Sequence, residues 1–164
     1  MKKLICLFLV FVLLLAGCSS SGKEFPVSLD RTMEMLSQKA ENLSVNAFEL
    51  TPTILEDKDG TGYSYNLGGG IRIAFYGNKA GFLTSAHLSV TTAESNDSSK
   101  TLQEEYFGLL IEHFVPAGEL ESVKTQLGGH TTMNKMASSS VTCSAASIII
   151  QGDGTTTYLT IEPA

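Results

Sequence analysis

Gly68-Gly69-Gly70-Ile71-Arg72-Ile73-Ala74-Phe75-Tyr76-Gly77 is the stretch that decides the fold. Three glycines mark a turn. Ile71, Ile73 and Phe75 then alternate with Arg72, Ala74 and Tyr76, the period-two pattern of a strand with one face in a core. Residues 77–81 turn the chain again, and 82–92 predict a further strand with Phe82, Ala86, Leu88 and Val90 on one face. Upstream, 63–67 forms another such run behind the Asp59-Gly60 turn, and 48–55 reads as extended, with Pro52 placing it at an edge or a kink. Turns this short between strands predict an antiparallel meander.

Helical spacing flanks this block. Ser28 is a candidate N-cap, followed by Leu29, Met33, Leu36, Ala40 and Leu43 on one stripe. Ser98, Ser99 and Thr101 offer caps for a second helix, with Thr101 and Glu104 spaced as a capping box. Leu102, Tyr106, Leu109, Leu110 and His113 continue it until Pro116. A short third helix is expected over 118–127, stopped by Gly128-Gly129. Residues 141–151 and 155–161 then flank Gly152-Asp153-Gly154 as a hairpin. The expected order is α-β-β-β-β-α-α-β-β, an α+β domain over residues 28–164 with one antiparallel sheet and helices on one face.

The first residues carry an address. Lys2 and Lys3 precede fourteen apolar residues, 4–17, which end in Leu15-Ala16-Gly17-Cys18 and the polar string Ser19-Ser20-Ser21-Gly22. A charged start, a short apolar middle and small residues at a cut site describe a secretory signal peptide. The run is also shorter than the roughly 20 residues of a membrane-spanning helix. The Leu-Ala-Gly-Cys ending resembles the lipobox of bacterial lipoproteins. That resemblance implies removal of residues 1–17, a thioether-linked diacylglycerol on Cys18 and often acylation of its new amine. Each buried methylene contributes about 0.8 kcal/mol, so one chain holds weakly and two hold stably. Ser19 stands where such lipoproteins carry an Asp for inner-membrane retention. The resemblance therefore implies the outer membrane in a Gram-negative host and the outer leaflet of the cell membrane in a Gram-positive one. Residues 18–27 then read as a flexible tether.

Cleavage would leave 147 residues, enough for one self-sufficient core. Cys6 would leave with the signal and Cys18 would carry lipid, so Cys143 has no partner for an intrachain disulfide. Nine basic residues would face seventeen acidic ones, a formal charge of −8. That balance argues against nucleic acid as a partner, and it rests membrane association on lipid rather than charge.

Candidate chemistry is sparse. Cys143 lies mid-strand beside Ile148-Ile149-Ile150, the setting of a small buried hydrophobe rather than a reactive thiol. His87 is expected on the polar side of its strand with Leu83, Ser85 and Ser89. His113 sits at a helix end that favours a protonated imidazole, and His130 lies in a Gly-rich loop. None falls in a metal-ligand spacing. Asp57, Asp59, Thr61 and Gly62 resemble the start of a calcium loop, but position twelve is Gly68 where a bidentate Glu is required. Gly68-Gly69-Gly70 lacks the Lys-Ser/Thr of a phosphate loop and reads as a positive-φ turn. No Gly-x-Ser-x-Gly elbow occurs. The long connection 128–140 carries Met133 and Met136, side chains that adapt to varied partner surfaces, and is a candidate partner loop.

These readings favour a lipid-anchored, non-enzymatic binding module of the bacterial envelope. Its partners would be the membrane through Cys18 and an envelope protein or small ligand, with no cofactor and no metal. One alternative is an envelope hydrolase whose site assembles from distant residues, Cys143 or a serine with His87. Another is an inhibitory or exclusion lipoprotein with an exposed apolar patch.

Overall fold

The alternation around Ile71 becomes the third strand, in sheet order, of a seven-stranded antiparallel sheet. The computed structural model describes residues 23–56, 58–91, 97–128 and 138–164. Its strands are β1 (Thr53–Glu56), β2 (Gly60–Gly68), β3 (Ile71–Asn78), β4 (Leu83–Thr91), β5 (Ser139–Thr142), β6 (Ala146–Gly152) and β7 (Thr156–Pro163). They lie in the order β1-β2-β3-β4-β7-β6-β5, two meanders joined where β7 pairs with β4. The helices are α1 (Leu29–Lys39), α2 (Asp97–Phe114) and α3 (Leu120–Gln126). The expected α+β class is therefore correct.

The inward residues of the central strands form one core with the helices. Ile71, Ile73, Phe75, Leu88, Val90, Ile148, Ile150, Leu159 and Ile161 are fully buried, together with Leu36, Tyr106, Leu110 and Ile111 from the helical layer. Phe48 packs against the same cluster and touches Tyr65, Phe75 and Tyr106 ring to ring. The Tyr106 hydroxyl donates to the Val45 carbonyl at 2.5 Å and accepts from the Ala47 amide at 2.6 Å. One phenol thereby pins the 3-10 segment Ala47–Glu49, between α1 and β1, onto α2.

Caps and turns behave as their residues dictate. The Ser28 hydroxyl accepts from the Arg31 amide and starts α1. Gly68, Gly69 and Gly70 all have positive φ, and a Cβ at Gly69 would stand 2.7 Å from the Ser99 Cβ of α2. The glycine turn thus admits the start of α2 against the sheet end. In the β6–β7 hairpin the Asp153 carboxylate accepts from the amides of Thr155 and Thr156 at 2.8 Å each.

Five expectations need correction. The run 48–55 is extended as a strand only from Thr53, because Ala47–Glu49 forms a 3-10 turn started by the Asn46 side chain accepting from the Phe48 amide. The 141–151 run is two strands. Its small residues Cys143, Ser144 and Ala145 turn, closed by the Cys143 amide donating to the Ala146 carbonyl. The Ser144 amide also donates to the Glu119 carboxylate at 3.0 Å. Phe82 is exposed and Leu83 takes the core position, because β3 and β4 change register between Tyr76 and Gly77, which shifts the inward phase of β4. Helix α2 begins at Asp97, so Thr101 lies within its first turns, its hydroxyl on the Asp97 carbonyl, rather than capping it. The end of the expected tether is also bound. Phe25 is buried against Phe114 at 5.0 Å, and its amide donates to the Leu83 carbonyl at 2.8 Å.

Candidate functional site on the open sheet face

The outward positions of the same strands have a different chemistry. They run Gly62, Ser64 and Asn66 on β2; Arg72, Ala74 and Tyr76 on β3; and Ser85, His87, Ser89 and Thr91 on β4. On β7 they are Thr156, Tyr158, Thr160 and Glu162, and on β6 Ser147, Ile149 and Gln151. Arg72 and Glu162 carry the only full formal charges at these strand positions, one towards each end.

Register places three rings on a diagonal. Tyr76 pairs with Ser85, and His87 lies two residues on. His87 pairs with Thr160, and Tyr158 lies two residues off. Diagonal neighbours in an antiparallel sheet are roughly 7–8 Å apart, within reach of aromatic side chains. Tyr76 and His87 meet edge to face with centroids 5.3 Å apart. Gly62 makes room for this. A Cβ there would fall 2.8 Å from the Phe75 carbonyl oxygen and 2.9 Å from the Tyr76 Cδ1, so the close approach of the two backbones and the tyrosine ring over them both require glycine. Tyr76 and Tyr158 nonetheless remain 37% and 44% exposed.

His87 is fixed on both nitrogens. Nε2 lies 2.9 Å from the Ser85 hydroxyl and Nδ1 lies 3.2 Å from the Thr160 hydroxyl. A neutral imidazole has one donor and one acceptor, and hydroxyls serve either role, so both bonds are satisfied without a charge. Burial pushes the His87 pKa below its ordinary value, partly opposed by the Glu162 carboxylate. The ring is therefore neutral at pH 7.

Beyond Tyr158 the face dips into a hollow of about 330 Å³ lined by Asn66, Arg72, Ser89, Thr91, Thr156 and Tyr158, with Gly70 and Ile71. It holds one guanidinium and no carboxylate. A second concavity, about 630 Å³, runs along the outer side of α2 beside Leu43, Leu109, Val115 and Leu120. Two of its polar groups already serve the fold: Glu105 accepts from Ser44, and Glu112 pairs with Lys124.

The sequence candidates fall as follows. Cys143 is buried in the helix-side core, with its sulfur against the Ala146 carbonyl, so it is not brought to His87 on the opposite face. Ser85 is the serine that does meet His87. His113 is half-buried, edge-on to Phe114, and its Nδ1 has no partner. Burial, with the Lys39 charge adding, lowers its pKa to about 4. The expectation of a protonated imidazole at that helix end is thus overturned: desolvation outweighs the helix dipole. Among the described residues no group of three or more His, Cys, Asp and Glu is arranged to hold a metal ion. Cys18, Asp57, His130, Met133 and Met136 lie outside the described residues. Sequence reading did not single out Tyr76, Tyr158, Thr160 or Arg72, although the alternation that put Ile73 inside also put their class of residue outside. Comparison of the chain with family models, with curated proteins and with solved structures returned no match.

Proposed function

We propose that this protein is a lipid-anchored binding module of a bacterial envelope, held through Cys18, with the uncovered sheet face as its recognition surface. The observation that carries the recognition surface is the Tyr76–His87–Tyr158 diagonal, two exposed tyrosines with half-buried His87 between them, set among hydroxyls on a face its own helices leave free. The anchor rests on the lipobox-type stretch Leu15-Ala16-Gly17-Cys18. Because Phe25 is bound to the domain, about six residues, 19–24, remain to span from lipid to fold, a reach of about 20 Å at most. The attachment point is Leu83, at the Tyr76 end of β4. The face would stand beside the bilayer, with its hollow at the far end.

Mass spectrometry of the protein purified from a bacterial membrane fraction tests the anchor. A diacylglyceryl-modified N-terminal Cys18 is expected, with loss of membrane association in Cys18→Ser. An unmodified N-terminal peptide would overturn the reading.

The Ser85–His87 contact favours a second reading, an envelope hydrolase. Two features weigh against it. Nδ1 of His87 meets a hydroxyl rather than an orienting carboxylate, and a lowered pKa makes the ring a weak base. A fluorophosphonate probe that labels Ser85, but not the His87→Ala variant, would establish this reading in place of the first.

A further inference from the structure

We propose that the open face binds a carboxylated glycan strand, its sugar rings lying along Tyr76, His87 and Tyr158 and one carboxylate seated on Arg72. The occupant to which the geometry points is the alternating amino-sugar strand of the bacterial wall, stripped of peptide so that its lactyl carboxylates are free. The inference rests on the sheet face being the recognition surface and names its ligand class.

Three observations converge. The first is shape and polarity. Tyr76 and Tyr158 are exposed rings at the two ends of the diagonal, offering apolar surface to the C–H faces of pyranose rings, with half-buried His87 edge-on to Tyr76 between them and the hydroxyls of Ser85, Ser89 and Thr160 beside it. Such a surface suits a flat, polyhydroxylated chain better than an apolar helix or a second copy of this domain, because its outward side chains are mostly hydroxyls.

The second is charge. The whole chain has a formal charge of −6, and the only full formal charge in the hollow is that of Arg72. Among the described residues Arg72 takes part in none of the ion pairs, which join Arg31 to Glu34, Lys100 to Asp97 and Lys124 to Glu112. A guanidinium presents a planar fork that matches a carboxylate bidentately. Asn66 and the hydroxyls of Thr91 and Thr156 add neutral hydrogen-bonding groups around it. A neutral glycan would leave this cation unused.

The third is position. Phe25 fastens the N-terminal segment at Leu83, whereas the hollow lies at the Thr91 end of β4, about 27 Å further at strand rise. With lipid at one end, the Arg72 end faces away from the bilayer, where wall polymer would lie.

The test is a calorimetric titration of the processed protein in detergent with three probes. These are a tetrasaccharide of alternating N-acetylglucosamine and N-acetylmuramic acid, chitotetraose without the carboxylates, and a tetrameric uronate. Binding of the muramic tetrasaccharide at least about tenfold tighter than chitotetraose is expected, since a charge-assisted bond is involved. Arg72→Gln should erase that preference, bringing the muramic tetrasaccharide down to the affinity of chitotetraose. Tyr158→Ala should weaken both amino-sugar probes severalfold, with an unchanged unfolding midpoint in each variant confirming that the fold persists. Equal affinity for the two amino-sugar probes, a preference that survives in Arg72→Gln, or binding of the uronate alone would overturn the proposal. Binding of no probe would overturn it too. The anchor is read independently by the mass of the N-terminal peptide, so failure here and failure there are distinguishable.

Discussion

The two faces of the sheet are made by the same strands and share nothing else. Towards the helices, Ile71, Ile73 and Phe75 of β3 are fully buried; one residue away on the same strand, Arg72 and Tyr76 stand in solvent. The inner face is selected for volume and closure, because every apolar atom there leaves water. The exposed positions of the outer face cost the fold little to change, so residues such as Arg72, Tyr76 and Tyr158 are free to be chosen for a ligand.

The contrast can be broken by mutation. Phe75→Ala on the inner face should cost about 3–5 kcal/mol in urea unfolding, from lost burial plus a residual cavity. A cost below about 1 kcal/mol would mean that the inner face does not hold the domain together. Tyr106→Phe removes only an oxygen, yet it leaves the Ala47 amide and the Val45 carbonyl without their partner. A loss of about 1–3 kcal/mol is expected, concentrated as faster amide exchange in residues 43–49.

Acid separates the faces in another way. The pKa of His113, on the helical side, falls to about 4 on folding from an ordinary value of 6.5. Between those values the unfolded chain binds a proton that the folded chain refuses. Stability should therefore be complete above pH 6.5 and decline as pH falls towards 4. His87, lowered in the same direction, adds to the slope. His113→Phe should flatten the decline measured by denaturant midpoints across this window. An unchanged slope would assign it to other groups.

The smallest effect on stability is expected at the outer rings. Tyr158→Ser should shift the unfolding free energy by no more than about 0.5 kcal/mol, as exposed substitutions do. A loss as large as that of Phe75→Ala would make the outer face part of the core and remove the freedom on which the recognition reading depends.

Local chemistry made much of this legible. Ser28 as a cap, the three positive-φ glycines and the Gly152-Asp153-Gly154 turn were readable because each acts within a few residues. The failures are non-local. The phase change in β4 depends on where β3 slips past it, so Phe82 and Leu83 exchange sides for a reason outside their own strand. The break at Cys143 is closed in part by Glu119, distant in sequence. The charge on His113 followed from its helix end until burial between elements outweighed the dipole.

Sequence by itself determined the α+β class, most of the strands and helices and the inward stripe of β3, because periodicity and turns are properties of neighbouring residues. Only the tertiary structure decided that Tyr76, His87 and Tyr158 form one line with Arg72 beside its end. They belong to three strands, and a residue's partner across a sheet is set by pairing and register, which no single strand encodes.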